Sequence, residues 1–138
     1  MLTIPENIDS VGQRIDSEAH LKVALFKTQN FCKQLGFNPV ASSKITTAAS
    51  ELVRNILKYA GSGQLCIHHY CADDQQGLEM VVCDSGPGIA DLDSAMMDNY
   101  SSGGTLGMGL PGVERLMDYF CIQSEVGKGT VVTVRKFL

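Results

Sequence analysis

Nowhere in the 138 residues is there a run of roughly 18 apolar residues, and the N-terminus has no basic segment followed by an apolar one. Membrane spanning and export are therefore not expected, and the expected location is cytoplasmic. Basic residues are in deficit, 11 against 15 acidic for a formal net charge of −4, which argues against a broad footprint for nucleic acid or an anionic membrane. Paired cysteine spacing is missing as well. Cys32, Cys66, Cys71, Cys83 and Cys121 are odd in number, form no C-x-x-C pair and lie in apolar stretches, so reduced, buried thiols are expected. No residue type is in large excess and no repeat or low-complexity tract occurs, which excludes disordered and fibrous classes. The length suits one domain with a real core and leaves no room for a separate substrate domain, so a protein substrate would dock from outside.

What is present is a clear series of elements. Residues 2–15 alternate loosely around Pro5 and Gly12 and predict one or two short edge strands. Ser17 can cap a helix whose apolar positions Leu21, Ala24, Leu25, Phe31, Cys32 and Leu35 keep helical spacing, with Gly36 to end it. Asn38-Pro39 opens a second, longer helix predicted to run to about Ala60, where Gly61-Ser62-Gly63 stops it. Gln64 to Cys71 and Leu78 to Cys83 read as a hairpin joined by the polar turn Ala72 to Gly77. From Asp84 to Gly109 the chain is a glycine- and serine-rich loop, interrupted by a short helix around Asp91 to Met97. A helix over Pro111 to Met117, a strand over Phe120 to Glu125, a turn at Gly127 to Gly129 and a strand over Thr130 to Phe137 complete the chain. The expected architecture is a two-layer α/β sandwich, with a mixed, mostly antiparallel sheet and helices on one face.

Four short motifs carry chemistry. Glu51 and Asn55 lie four apart on the long helix, one above the other beside its apolar stripe, where a carboxylate can act as a base and an amide oxygen can ligate a hard cation. Met80 to Cys83 is an apolar strand that runs into Asp84-Ser85-Gly86-Pro87-Gly88-Ile89; an acid at a strand end suits an adenine amino group, or simply caps a tight turn. Gly103 to Leu110, which includes Gly104, Gly107 and Gly109, precedes a helix opened by Pro111, so backbone amides converge where a triphosphate binds favourably. It matches neither a P-loop nor a dinucleotide-binding fingerprint. Lys58 is the candidate phosphate contact, since residues 84–113 hold no Lys or Arg; a solvated lysine in the last helical turn is the alternative. Tyr59 is either core or a cover for the base.

In order, S-E-L-V-R-N, D-S-G-P-G-I, G-M-G-L and G-K-G-T resemble the N, G1 and G2 boxes and the final Gly-Thr of the GHKL ATPase superfamily, over roughly Ser42 to Leu138. Within it the chain is similar to the small serine/threonine kinases of bacterial partner-switching systems, most of all the stressosome switch kinases, through G-L-P-G-V-E-R-L-M-D. The resemblance implies a Bergerat ATP-binding fold over residues 1–138 and the ligands ATP and Mg²⁺. Glu51 would orient or deprotonate the acceptor hydroxyl and Asn55 would ligate Mg²⁺. Asp84 would bond adenine with support from Thr130, Gly86, Gly88 and Ile89 would border the base, and Gly104, Gly107, Gly109 and Leu110 would wrap the phosphates. Lys58-Tyr59 resembles the Lys-Tyr that follows the N box in many histidine kinases.

Two departures favour the switch kinases: the basic lid residue of related anti-sigma kinases is missing, and there is no helical phosphoacceptor module, so His20, His68 and His69 are expected to be ordinary surface or half-buried residues. The implied activity is phosphorylation of a STAS-domain antagonist or scaffold (RsbS- or RsbR-like), with a PP2C-type phosphatase (RsbU-like) as a second partner. The alternatives are an anti-sigma factor kinase that binds a sigma factor, and a non-catalytic nucleotide-dependent binding module.

Overall fold

The computed structural model describes residues 10–97 and 109–138. Strand β1 (Val11–Ile15) leads into helix α1 (Glu18–Leu35), where the Ser17 hydroxyl accepts the His20 amide and Gly36 closes the far end in the left-handed region. Helix α2 (Pro39–Asn55) starts as the Asn-Pro pair predicts, with the Asn38 side chain accepting the Ala41 amide at 2.8 Å. Its end differs from expectation. Regular α-helix stops at Asn55, and Ile56–Ala60 form a π-helical turn closed by the Gly61 amide on the Ile56 carbonyl at 2.8 Å.

Strands β2 (Gly63–Ala72) and β3 (Gln75–Asp84) are each longer than their apolar cores, so the turn between them shrinks from the six residues expected to Asp73-Asp74. Polar Gln75 and Gln76, both exposed, extend the ladder, which is why hydrophobicity gave no sign of them. Helix α3 (Leu92–Ala95) is a single turn capped by Asp91. Helix α4 (Gly109–Leu116) begins before Pro111, a residue tolerated within a first turn. Strands β4 (Tyr119–Glu125) and β5 (Gly129–Phe137) close the fold as a second hairpin.

The sheet order is β1-β2-β3-β5-β4, and every described pairing is antiparallel. The mixed character expected of the sheet survives only in direction: β3 and β4 run parallel, joined by the α3–α4 crossover, but β5 lies between them. The inner sheet face places Leu65, Ile67, Leu78, Met80 and Val134 against Phe31, Ile45, Leu52 and Ile56 of the helices, all essentially without exposure. Truncating any one of these large side chains to alanine costs on the order of 2–5 kcal/mol. Buried Thr28 is satisfied by its own helix, through the Ala24 carbonyl at 2.7 Å.

Among the described residues no layer covers the outer sheet face, and it corrects the reading of the cysteines. All five are free thiols, but only Cys32 is buried; Cys66, Cys83 and Cys121 are half-buried and Cys71 is exposed. Strand alternation turns Cys66, Cys83 and Cys121 outward, away from the helices, which apolar neighbours alone could not reveal. Burial pushes the Cys32 thiol up to about 11, partly offset by a hydrogen bond with Ser42. On the same outer face Glu79 bonds His68 at 2.6 Å and Arg135 at 2.5 Å, and the guanidinium lies 4.3 and 4.2 Å from the Tyr70 and Tyr119 ring centroids. No helix among the described residues is long and apolar enough to cross a membrane.

Candidate functional site

At the C-terminal end of α2, the π-turn, the ends of β3, β4 and β5, segment 87–91, α3 and the start of α4 enclose a cavity of about 350 Å³. That lies within the range of small-molecule sites. Leu52, Ile56, Val82, Ile122 and Val132 give it apolar walls suited to a flat ring, and Asn55, Asp84, Asp91 and Thr130 supply its polar points.

Each polar group is placed by a local cause. Asn55 ends the regular part of α2, so its amide stands at the rim where the helix widens. Asp84 is the last residue of β3; its Oδ1 accepts the Gly86 amide at 2.9 Å, while Oδ2 has no protein partner among the described residues. The turn-capping reading of Asp84 is thus met by one oxygen, and the other is left open to a donor. Thr130 sits opposite Asp84 in the β3–β5 ladder and opposite Ser124 in the β4–β5 ladder. Ser124 Oγ lies 2.8 Å from Thr130 Oγ1, donates to the Gly129 carbonyl at 3.1 Å and accepts the Ile89 amide at 2.7 Å. This hydroxyl pins the loop after Asp84 to the sheet. It was missed in the sequence because a lone serine on a strand carries no local signal, its partner Ile89 being 35 residues away.

Of the residues singled out from sequence, Asn55, Tyr59, Asp84, Gly88, Ile89, Gly109, Leu110 and Thr130 all line this cavity. Gly88 has φ +76°, and a Cβ there would overlap the Glu125 carbonyl oxygen, so only glycine lets the loop pass this close to β4. Gly86 does not line the cavity. It packs on the π-turn, where a Cβ would stand 2.6 Å from that of Ala60. Glu51 is half-buried one turn before Asn55, on the approach to the cavity rather than in its wall.

Lys58 is also outside the wall: it is exposed, with Nζ 5.2 Å from the Tyr59 ring centroid. The π-turn explains this. Adding a residue to the turn swings Lys58 further from the Asn55 line than α-helical spacing predicts and brings Tyr59 above it. Gly104 and Gly107 lie outside the described residues.

The described wall is acidic, with Asp84 and Asp91 and no lysine or arginine. Hydrogen bonds from the Ser94 side chain and backbone hold Asp91 below the usual carboxylate range, so it is ionised at neutral pH. Such a wall accepts an amine-bearing base directly, but a polyphosphate only with compensating cations. Among the described residues no cluster of three His, Cys, Asp or Glu could hold a metal alone. A single amide oxygen such as that of Asn55 still fits Mg²⁺, which commonly keeps waters and takes most other ligands from substrate phosphates.

Comparison with known proteins gives a consistent picture. Residues 16–136 match the histidine kinase-like ATPase domain family. The chain is 45% identical over 125 residues to the serine/threonine-protein kinase RsbT of Bacillus subtilis, covering 91% of this chain and 94% of that one. It is 30% identical over 114 residues to an anti-sigma F factor of Caldanaerobacter subterraneus, covering 78% of each. Among solved structures, the RsbU and RsbW domains of a Mycobacterium tuberculosis protein superimpose with a TM-score of 0.66 at 15% identity; the match covers 94% of this chain and 33% of that longer one.

Proposed function

This chain belongs to the histidine kinase-like ATPase domain family, as a serine/threonine protein kinase, and we propose that it moves the γ-phosphoryl group of Mg²⁺-ATP to a hydroxyl of a STAS-domain scaffold or antagonist in a partner-switching pathway. The observation that carries the site assignment is the meeting of Asn55 and Asp84, from a helix end and a strand end, at one apolar-walled cavity.

In this reading adenine lies between the apolar walls, with its amino group on Asp84 Oδ2 and Gly88, Ile89 and Tyr59 at its borders. Thr130, held by Ser124, keeps the floor beneath Asp84 in place. Phosphates extend toward Asn55 and the start of α4 at Gly109-Leu110, since a helix N-terminus favours anions. Gly104 and Gly107 would wrap them. Bound Mg²⁺, held by Asn55 and the phosphates, would neutralise charge during transfer. The acceptor hydroxyl oxygen bonds to the γ-phosphorus as the bond to the β–γ bridging oxygen breaks; ADP departs and the hydroxyl proton passes to Glu51. Lys58, exposed beside Tyr59, stays the candidate phosphate contact of this scheme.

Mixing the protein with Mg²⁺-ATP and the STAS-domain proteins of the same cell should yield phosphoserine or phosphothreonine; its absence at every concentration would remove the reading. Glu51→Gln is expected to slow transfer about 10²-fold or more while nucleotide affinity measured by calorimetry stays unchanged. A second reading, an anti-sigma factor kinase, is favoured by the relatives named anti-sigma F factor. Copurification with a sigma factor, and with neither a PP2C-type phosphatase nor a STAS scaffold, would select it.

A further inference from the structure

The net charge of −4 conceals a separation. Residues 19–50, which span nearly all of α1 and most of α2, hold four lysines and no acidic residue, so the rest of the chain stands at −8. Lys22, Phe26, Gln29 and Lys33 fall at i, i+4, i+7 and i+11, on one line along α1, and all four are exposed, Phe26 by 63%. Val23 beside them is 41% exposed and Val40, at the start of α2, 65%. Gln29 and Lys33 also form one wall of a groove of about 440 Å³ whose other wall is the first turns of α2, with Phe37, Ser43 and Thr47. Lys22, Lys33 and Lys44 make no ion pair among the described residues, whereas half-buried Lys27 is tied down by the Gly12 carbonyl and Gln13.

An exposed phenylalanine between two unpaired lysines, beside a groove lined with hydroxyls and free of carboxylates, is built to be covered by something acidic with an apolar anchor. We propose that α1 and the N-terminal half of α2 form a docking surface for an acidic amphipathic helix of a partner protein. The apolar side of that helix would cover Phe26 and Val23, its carboxylates would meet Lys22 and Lys33, and its flank would lie in the groove. Ser43 and Asn55 are twelve residues apart on one helix, about 18 Å along its axis. The partner held here therefore leaves the nucleotide cavity open, and docking is separate from presentation of the acceptor hydroxyl.

The inference takes its probes from the preceding reading: the purified STAS-domain protein, the PP2C-type phosphatase and the sigma factor of the same cell. Each is titrated against the full chain and against Lys22→Glu/Lys33→Glu and Phe26→Ser, with nucleotide binding measured in parallel. At least one partner should lose about tenfold or more in affinity with both variants, more steeply at low salt, and a Glu→Lys change in that partner should restore binding to the lysine variant. Nucleotide binding should not change. Wild-type binding of every partner to both variants, or no binding of any of the three to the wild type, would overturn the proposal. So would a concentration-dependent dimer of the wild type that Phe26→Ser abolishes, since the occupant would then be a second copy. Phosphorylation is read separately, so failure of the kinase reading and failure of this one give different results.

Discussion

The two ends of α2 are built by different means. At the N-terminal end a side-chain cap and a proline in the first turn set a regular helix, and its neighbours are hydroxyls and lysines. At the C-terminal end the regular helix gives way to a π-turn, and its neighbours are Asp84, the β-strand ends and an apolar cavity. The first end obeys local rules and could be transplanted; the second exists because tertiary packing of Ile56, Ala60 and Gly86 holds a turn that local preference would not choose. One helix thus separates a conventional, basic end from an irregular end that faces the acidic cavity.

Substitutions can break this contrast. The largest effect is expected from Asn55→Ala, which should lower phosphoryl transfer about 10²-fold in a radiolabelled transfer assay and weaken Mg²⁺-dependent nucleotide binding, with little change in the melting curve. Gly61→Ala tests the π-turn itself. Gly61 has φ +83° with open space around a new Cβ, so the cost is conformational, about 1–2 kcal/mol of stability, and nucleotide affinity should fall as Tyr59 shifts. Asn38→Ala should cost about 1 kcal/mol by denaturant titration and leave nucleotide affinity untouched, because the regular end lies far from the cavity. A change in affinity there would erase the distinction between the ends.

The smallest effect lies on the outer sheet face and serves as a reference for both. Burial raises the Glu79 carboxyl, but hydrogen bonds and charge from Arg135 and His68 outweigh it and hold the group below its ordinary value of 4.5. A depressed carboxyl contributes stability that is present above its unfolded pKa and is lost as pH falls through the folded one. The melting temperature should therefore decline as pH drops through and below about 4.5, and Glu79→Gln should flatten that decline.

Legibility in the sequence follows the same division. Caps at Ser17 and Asn38, the stop at Gly36 and the apolar stripes report local physics, and α1 and the start of α2 came out within a residue or two. The four-motif order brought Asn55, Asp84, Gly88 and Thr130 to one cavity because Asn55, Asp84 and Thr130 lie at or beside the end of a regular element and Gly88 lies in the loop that follows β3. Lys58 stands outside the described wall because α-helical spacing does not carry through the π-turn, whose widening depends on distant contacts. Gly86, expected at a ligand border, lies so close to Ala60 that a Cβ would not fit, and spacing does not distinguish the two uses of glycine. Ser124 could not be found, since its partners meet it only through strand pairing. The outward cysteines were misjudged because an apolar neighbourhood in sequence does not say which face of a strand a residue occupies.

The strand order also bears on the birth of the protein. β5 is synthesised after every other described element, yet it occupies an interior place between β3 and β4. A nascent chain that ends before Gly129 has two unjoined sheet fragments, an open β3 edge and no floor beneath Asp84. Both the cavity and the central ladder thus become available only once β5 has emerged. Until then the exposed β3 edge is the stretch most in need of a chaperone.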